Sequence, residues 1–148
     1  MEGGIRVPAI IRWPGRIRAG IESRQPCITF DFSASIVQLA GVQPAADQPF
    51  DGIDIVRHVI ENRATVPRKL YWRKPRGTTV WSGVRDGHLK YVGRVDGERQ
   101  QEFLFDLDAD PSETSDLKAE HPDEFQRLKR AYLGWEETVR RHRRGRPD

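Results

Sequence analysis

The sequence predicts an α+β fold in which a four-stranded antiparallel sheet is packed by a long C-terminal helix. Three observations carry this expectation. Apolar and polar residues alternate with a strand-like period in the second half of the chain. An Asp-Gly dipeptide, Asp86-Gly87, separates two such runs, and an apolar stripe recurs at helical spacing close to the C-terminus.

The strand-like runs are Lys69-Leu70-Tyr71-Trp72-Arg73, Thr78-Thr79-Val80-Trp81-Ser82-Gly83-Val84, His88-Leu89-Lys90-Tyr91-Val92 and Glu102-Phe103-Leu104-Phe105-Asp106-Leu107. Asp86-Gly87 predicts a type I′ hairpin, because that turn needs positive φ at both central residues. Asp108-Ala109-Asp110-Pro111 reads as a further turn. Pro122 then opens a helix over residues 122–139, whose Phe125, Leu128, Tyr132, Trp135 and Val139 share one stripe. At 1.5 Å per residue that helix is about 27 Å long, enough to cross one face of a four-stranded sheet.

The first half follows a different pattern. Val7-Pro8-Ala9-Ile10-Ile11 is rich in β-branched residues and predicts a buried strand, ended by the turn Trp13-Pro14-Gly15. A second apolar piece, Cys27-Ile28-Thr29-Phe30, leads into a helix with Asp31 or Ser33 as its cap. Ile36, Val37, Leu39 and Ala40 are its expected apolar face, and Gly41 its left-handed C-terminal cap. After the turn Phe50-Asp51-Gly52, a short helix is expected from Asp54, with Ile55, Val56, Val59 and Ile60 facing inward. The change of period near residues 64–67 divides the chain into residues 1–66 and 67–148.

Composition narrows the function. A chain of 148 residues with 36% hydrophobic residues, 32% charged residues and a mean hydropathy of -0.70 is polar, with a modest supply of core residues. Its net charge of +3 is concentrated in residues 140–148, where Arg140, Arg141, Arg143, Arg144 and Arg146 stand against Asp148. The rest is nearly neutral, so no nucleic-acid partner is expected, and the tail reads as frayed and solvated. A single cysteine, Cys27, excludes an intrachain disulfide. The opening residues lack the pattern of a signal peptide, and no run approaches the roughly 20 apolar residues of a membrane span. The chain therefore reads as soluble with no membrane partner, and a periplasmic and a cytoplasmic location both remain open for the complete protein.

Few residues carry the signs of catalysis. Cys27 has no histidine or cationic cluster beside it and reads as an inert thiol. His58, His88, His121 and His142 lack metal-ligand spacing. Asp106, Asp108 and Asp110 alternate as calcium ligands do, but Pro111-Ser112-Glu113 breaks the EF-hand pattern, and a turn with aspartates accepting backbone N–H groups is preferred. Tyr71, Trp72, Trp81 and Tyr91, interleaved with Arg73, Lys74, Arg85 and Lys90, read either as sheet packing or as a stacking platform for a sugar or nucleic acid.

The order of these segments resembles the C-terminal portion of the sulfatase family, the arylsulfatase-like enzymes of the alkaline phosphatase superfamily. The resemblance rests on Glu2-Gly3-Gly4-Ile5-Arg6-Val7-Pro8-Ala9-Ile10-Ile11-Arg12-Trp13-Pro14-Gly15, on the helix ending at Gly41, and on Asp51-Gly52-Ile53-Asp54. It continues through Val84-Arg85-Asp86-Gly87-His88-Leu89-Lys90-Tyr91 and Leu104-Phe105-Asp106-Leu107-Asp108-Ala109-Asp110-Pro111-Ser112-Glu113-Thr114-Ser115-Asp116-Leu117. It implies that residues 1–66 are the tail end of a larger α/β sulfatase domain and that 67–148 form its C-terminal sheet and helix, with a basic tail.

Complete members of that family use a calcium ion and a formylglycine made from a Cys/Ser-x-Pro-x-Arg motif. No such motif stands in this sequence, where Cys27 is followed by Ile28-Thr29-Phe30-Asp31. No catalytic residue, metal ligand or cofactor is therefore assigned to this chain. The resemblance places Glu2, Gly3, Gly4 and Arg6 beside the active-site rim of a complete enzyme. Two functions remain: part of a sulfatase, inactive alone and completed by an N-terminal segment, with a sulfate ester as the substrate of the complete enzyme, or a non-catalytic module binding sulfated or other anionic polymers.

Overall fold

The computed structural model describes residues 2–144, and side chains from residue 3 to residue 141. The chain divides into two compact units, Pro8–Val66 and Pro67–Asp148, the latter together with Met1–Val7.

The second unit is the expected sheet and helix. Strands β1 (Lys69–Arg76), β2 (Thr79–Asp86), β3 (Leu89–Asp96) and β4 (Arg99–Asp106) are antiparallel neighbours in sequence order. Each has eight residues, and each link is a two-residue turn: Gly77-Thr78, Gly87-His88 and Gly97-Glu98. The central hairpin therefore turns on Gly87-His88, with Asp86 still paired to Leu89, and not on Asp86-Gly87 as expected. Positive φ falls on the first turn residue alone (59°, 62° and 58° at the three glycines), the pattern of a type II′ and not a type I′ turn. Glycine adopts that conformation without the clash a Cβ would bring.

This register stacks Tyr71, Val84, Tyr91 and Leu104 in one cross-strand row. The row faces helix α3 (Pro122–Arg144), whose Phe125, Leu128 and Tyr132 are buried against it, with Trp135 half-buried beside them. Tyr71 and Trp135 stack with ring centroids 5.0 Å apart. Ion pairs fringe this apolar contact: Arg73 with Glu136 at 2.8 Å, Lys129 with Glu102 at 2.8 Å, and Arg127 with Asp86. The stripe is shorter than its sequence period suggests, since Val139 is 44% exposed beyond the edge of the sheet. The helix itself is longer. It continues through Arg144, with Arg140 and Arg141 paired one turn back to Glu136 and Glu137, so residues 140–144 are helical and not frayed. The remainder of the arginine tail lies outside the described residues.

In the first unit, helices α1 (Thr29–Leu39) and α2 (Ile55–Ile60) pack together. Helix α1 begins before the expected caps. Asp31 lies in its first turn and reaches back, its Oδ2 accepting from the Ile28 N–H at 2.7 Å, while Oδ1 accepts from the Ile53 N–H at 2.9 Å. Ser35 Oγ donates to the Asp31 carbonyl and accepts from the Val56 N–H. These buried polar groups reverse the expected face of α1: Asp31, Ala34 and Ser35 are buried, whereas Ile36 is 67% and Leu39 42% exposed. Gly52 packs so tightly on Phe30 that an added Cβ would sit 2.3 Å from the Phe30 carbonyl oxygen. Gly41, at a φ of 80°, ends α1 as expected, with Gly41 N–H donating to Gln38 and Val42 N–H to Val37. Asp54 caps α2, accepting from the Arg57 N–H.

Residues 7–11 form no strand, contrary to expectation, and Ile10 is 93% exposed. A β-branched run becomes a strand only when another strand satisfies its backbone, and none pairs with it here.

Two outcomes follow. Leu128→Ala removes a fully buried side chain from the helix–sheet contact and lowers stability by roughly 2 to 5 kcal/mol, while Val139→Ala changes it by less than about 0.5 kcal/mol; urea unfolding midpoints measure both. Amide exchange at Ile10 and Ile11 is faster than at Leu104 and Phe105, and equal protection would show that residues 7–11 are paired in solution.

Candidate functional site

The residues placed at a rim by sequence, Glu2, Gly3, Gly4 and Arg6, begin as a short 3-10 turn at Glu2–Gly4. Gly3, Gly4 and Arg6 are exposed, and no atom lies within 4 Å of a Cβ built at either glycine. Their glycines are thus not required by packing in this structure.

A second candidate is the acidic turn after β4. Asp106 Oδ1 accepts from the N–H groups of Asp108 and Ala109, at 2.9 and 3.3 Å. Asp110 Oδ2 accepts from the N–H groups of Thr114 and Ser115, at 2.7 and 2.9 Å, and its other oxygen from the Thr114 hydroxyl. These carboxylates build the turn, and the N–H groups of Asp108 and Ser115 above all hold Asp106 and Asp110 below the ordinary carboxylate range. For Asp116, burial pushes upward but is outweighed by the Leu104 N–H and by Lys118, so its carboxyl is also depressed.

The turn ends on a buried ion pair that sequence reasoning missed. Lys90 Nζ lies 2.8 Å from Glu113 Oε1, with the side chains 3% and 1% exposed, and the ammonium sits 5.9 Å from the Trp72 ring centroid. Glu113 holds a φ of 57°, a left-handed conformation uncommon for a residue with a side chain. The only sequence signal was a lysine in the middle of an apolar strand, which needs a buried carboxylate once the strand is covered.

The aromatic set divides between the two faces of the sheet. Tyr71 and Tyr91 point at α3, where the Tyr91 hydroxyl donates to Glu102 at 2.7 Å. Burial, then Glu102, raises the Tyr91 pKa far above its ordinary value. Trp72 and Trp81 lie on the opposite face with Val92, Phe103 and Phe105. A single platform carrying all four rings does not exist. Cys27 is half-buried and His58 is buried in the first unit. His88 and His121 are exposed, and the side chain of His142 lies outside those described.

The sheet, the covering helix and the acidic turn together define the C-terminal portion of a sulfatase. The family model described as N-sulphoglucosamine sulphohydrolase, C-terminal, matches residues 1–133, and the chain belongs to the sulfatase family. It is 30% identical to N-acetylgalactosamine-6-sulfatase of Mus musculus over 149 aligned positions, covering 84% of this chain and 28% of that protein. An uncharacterized sulfatase of Schizosaccharomyces pombe is 31% identical over 91% of this chain and 26% of its own length. The chain thus spans about a quarter of these relatives. The crystal structure of Ps i-CgsB shares the fold with a TM-score of 0.70 at 22% identity, over 83% of this chain and 27% of that one.

Family membership implies calcium and formylglycine in complete sulfatases, and the residues here do not fit the metal. Among the described residues no group of three or more His, Cys, Asp or Glu side chains is arranged to hold an ion, and the oxygens of Asp106 and Asp110 already serve backbone donors. No described helix is long and apolar enough to cross a membrane.

The depressed carboxylates link the acidic turn to pH. A carboxyl whose folded pKa lies below its unfolded value contributes stability above the unfolded pKa, and loses it as pH falls through the folded one. The contribution of these three carboxylates is therefore constant from pH 7 to about 5 and declines below about pH 4. Asp110→Asn is less stable than the parent at pH 7, and the difference closes on acidification; urea titrations from pH 7 to 2.5 follow it.

Proposed function

We propose that this chain is the non-catalytic C-terminal part of a sulfatase, and that hydrolysis of a sulfate ester belongs to the complete protein. The observation that carries this reading is the combination of a family match over residues 1–133 with the lack of a Cys/Ser-x-Pro-x-Arg sequence anywhere in the 148 residues. The nucleophile and the metal would come from an N-terminal α/β segment. Its relatives support such a segment, since the chain spans only 28% and 26% of two of them. The first unit supports it too, because it leaves Ile10, Phe30, Ile36 and Val42 more than half exposed, apolar surface suited to burial against further chain. Glu2, Gly3, Gly4 and Arg6 would line the rim of the completed site. A sulfated sugar is the favoured substrate class, because the matching family and the mouse relative are both named for sulfated amino sugars.

The purified chain, supplied with calcium and a generic aryl sulfate, releases no sulfate. Intact mass shows Cys27 as an unmodified cysteine, without the loss of about 18 Da that conversion to formylglycine brings. Metal-dependent turnover by the chain alone would overturn the reading.

A further inference from the structure

The sheet face turned away from α3 gathers cations at one end. In its last two cross-strand rows Lys74 aligns with Trp81, Arg94 and Gln101, and Arg76 with Thr79, Asp96 and Arg99. Lys74, Arg76, Arg94 and Arg99 therefore share one end of one face with the single carboxylate of Asp96, and even with the turn residue Glu98 cations outnumber carboxylates. A cleft of about 460 Å³ opens there, lined by Arg94, Asp96, Arg99, Gln100 and Gln101. All of these residues belong to the second unit.

The cleft is ordered from within. The Arg94 guanidinium lies over the Trp81 ring, 5.3 Å from its centroid, and its Nη2 pairs with Asp96 Oδ2 at 3.2 Å. Asp96 Oδ1 in turn accepts from the Thr78 hydroxyl at 3.1 Å. Arg94 Nε is buried and donates to no group among the described residues. The Nε is too deep to meet a ligand, but the Arg94 side chain as a whole stays 37% exposed. A planar guanidinium already held in place by Trp81 and Asp96 is suited to a tetrahedral oxyanion, because little side-chain entropy is lost when the anion arrives. Arg99 and Gln101 are exposed on the edge strand and share this face, adding a second cation and an amide that both donates and accepts, as hydroxyl groups require, whereas the side chain of Gln100 alternates to the other face.

We propose that this cleft binds the sulfate group of a sulfated saccharide chain. It extends the function above by giving this chain its own substrate-class contact, and it rests on that reading only for the choice of a saccharide. A nucleic acid suits the surface less well. Lys90, Arg94 and Lys118 already lie over the rings of Trp72, Trp81 and Phe103, so these aromatics do not offer a free stacking face for bases.

Calorimetric titration of the full 148-residue chain tests the proposal without any hydrolysis, so its failure is distinct from failure of the sulfatase reading. The probes are a chondroitin 6-sulfate hexasaccharide, its desulfated counterpart and a single-stranded dT oligonucleotide of matched length. The sulfated hexasaccharide binds, the desulfated one binds at least about tenfold more weakly, and Arg99→Gln and Arg94→Gln each weaken binding by about tenfold. The double variant Arg140→Gln/Arg141→Gln, which removes helix cations far along the sequence, changes affinity by less than about twofold. Arg94→Gln also breaks an ion pair, so thermal unfolding is measured beside it, and Arg99→Gln at its exposed position decides the matter if Arg94→Gln is unfolded. The proposal is overturned by no binding of the sulfated probe, by oligonucleotide binding of equal strength, or by affinity that follows the helix arginines and not Arg99.

Discussion

Because Gly77, Gly87 and Gly97 each take positive φ at the first position of a two-residue turn, the four strands are locked in a single register. Side chains alternate along a strand, so a slip of one residue would move every one of them to the opposite face. Tyr71, Val84, Tyr91 and Leu104 would leave α3, and Lys90 would be driven under it. The helix contact and the placement of the buried ion pair both depend on these turns. So does the gathering of Arg94 and Arg99 at one end of the far face.

The acidic turn after β4 then extends the sheet's order into a segment with no regular structure of its own. Asp106 and Asp110 wind the chain so that Glu113 arrives at Lys90, and Asp116 and Leu117 meet the outer side of β4. Breaking one half of a buried ion pair leaves an uncompensated charge, so Lys90 and Glu113 bind this segment to the sheet more tightly than their exposed counterparts on α3 do. The turn is a structural strap built from carboxylates, which explains how an alternation of aspartates that imitates a metal loop can have another use.

The sheet and its helix were legible because their signals are local: period-two runs, turn glycines and a stripe at spacings of three and four. The ten-residue recurrence of Gly77, Gly87 and Gly97 marks all three turns, and at the middle one the preceding Asp86 imitates the first residue of an Asp-Gly turn while staying in the strand. The first half was less legible. Residues 7–11 have the composition of a strand but no strand to pair with, and α1 turns inward the side bearing Asp31 and Ser35 because those groups satisfy backbone donors from residues 28, 53 and 56. A hydrophobic pattern cannot announce a face chosen by hydrogen bonds. The Lys90–Glu113 pair joins residues far apart in sequence, and neither residue's local pattern names the other. Arg94 and Arg99 were invisible as a site until the register set them on one face.

The outer edge of β4 is occupied by the chain's own loop. Leu104 offers both its backbone groups outward, and both are occupied, its N–H by Asp116 and its carbonyl by the Leu117 N–H; the ammonium of Lys118 covers the Glu102 carbonyl. An edge capped by side chains and a single loop presents little template for a strand from another molecule. The acid-sensitive member of this guard is Asp116, whose carboxylate accepts the Leu104 N–H more strongly when ionised, so acidity weakens that half of the guard and leaves the Leu117 N–H to hold the carbonyl.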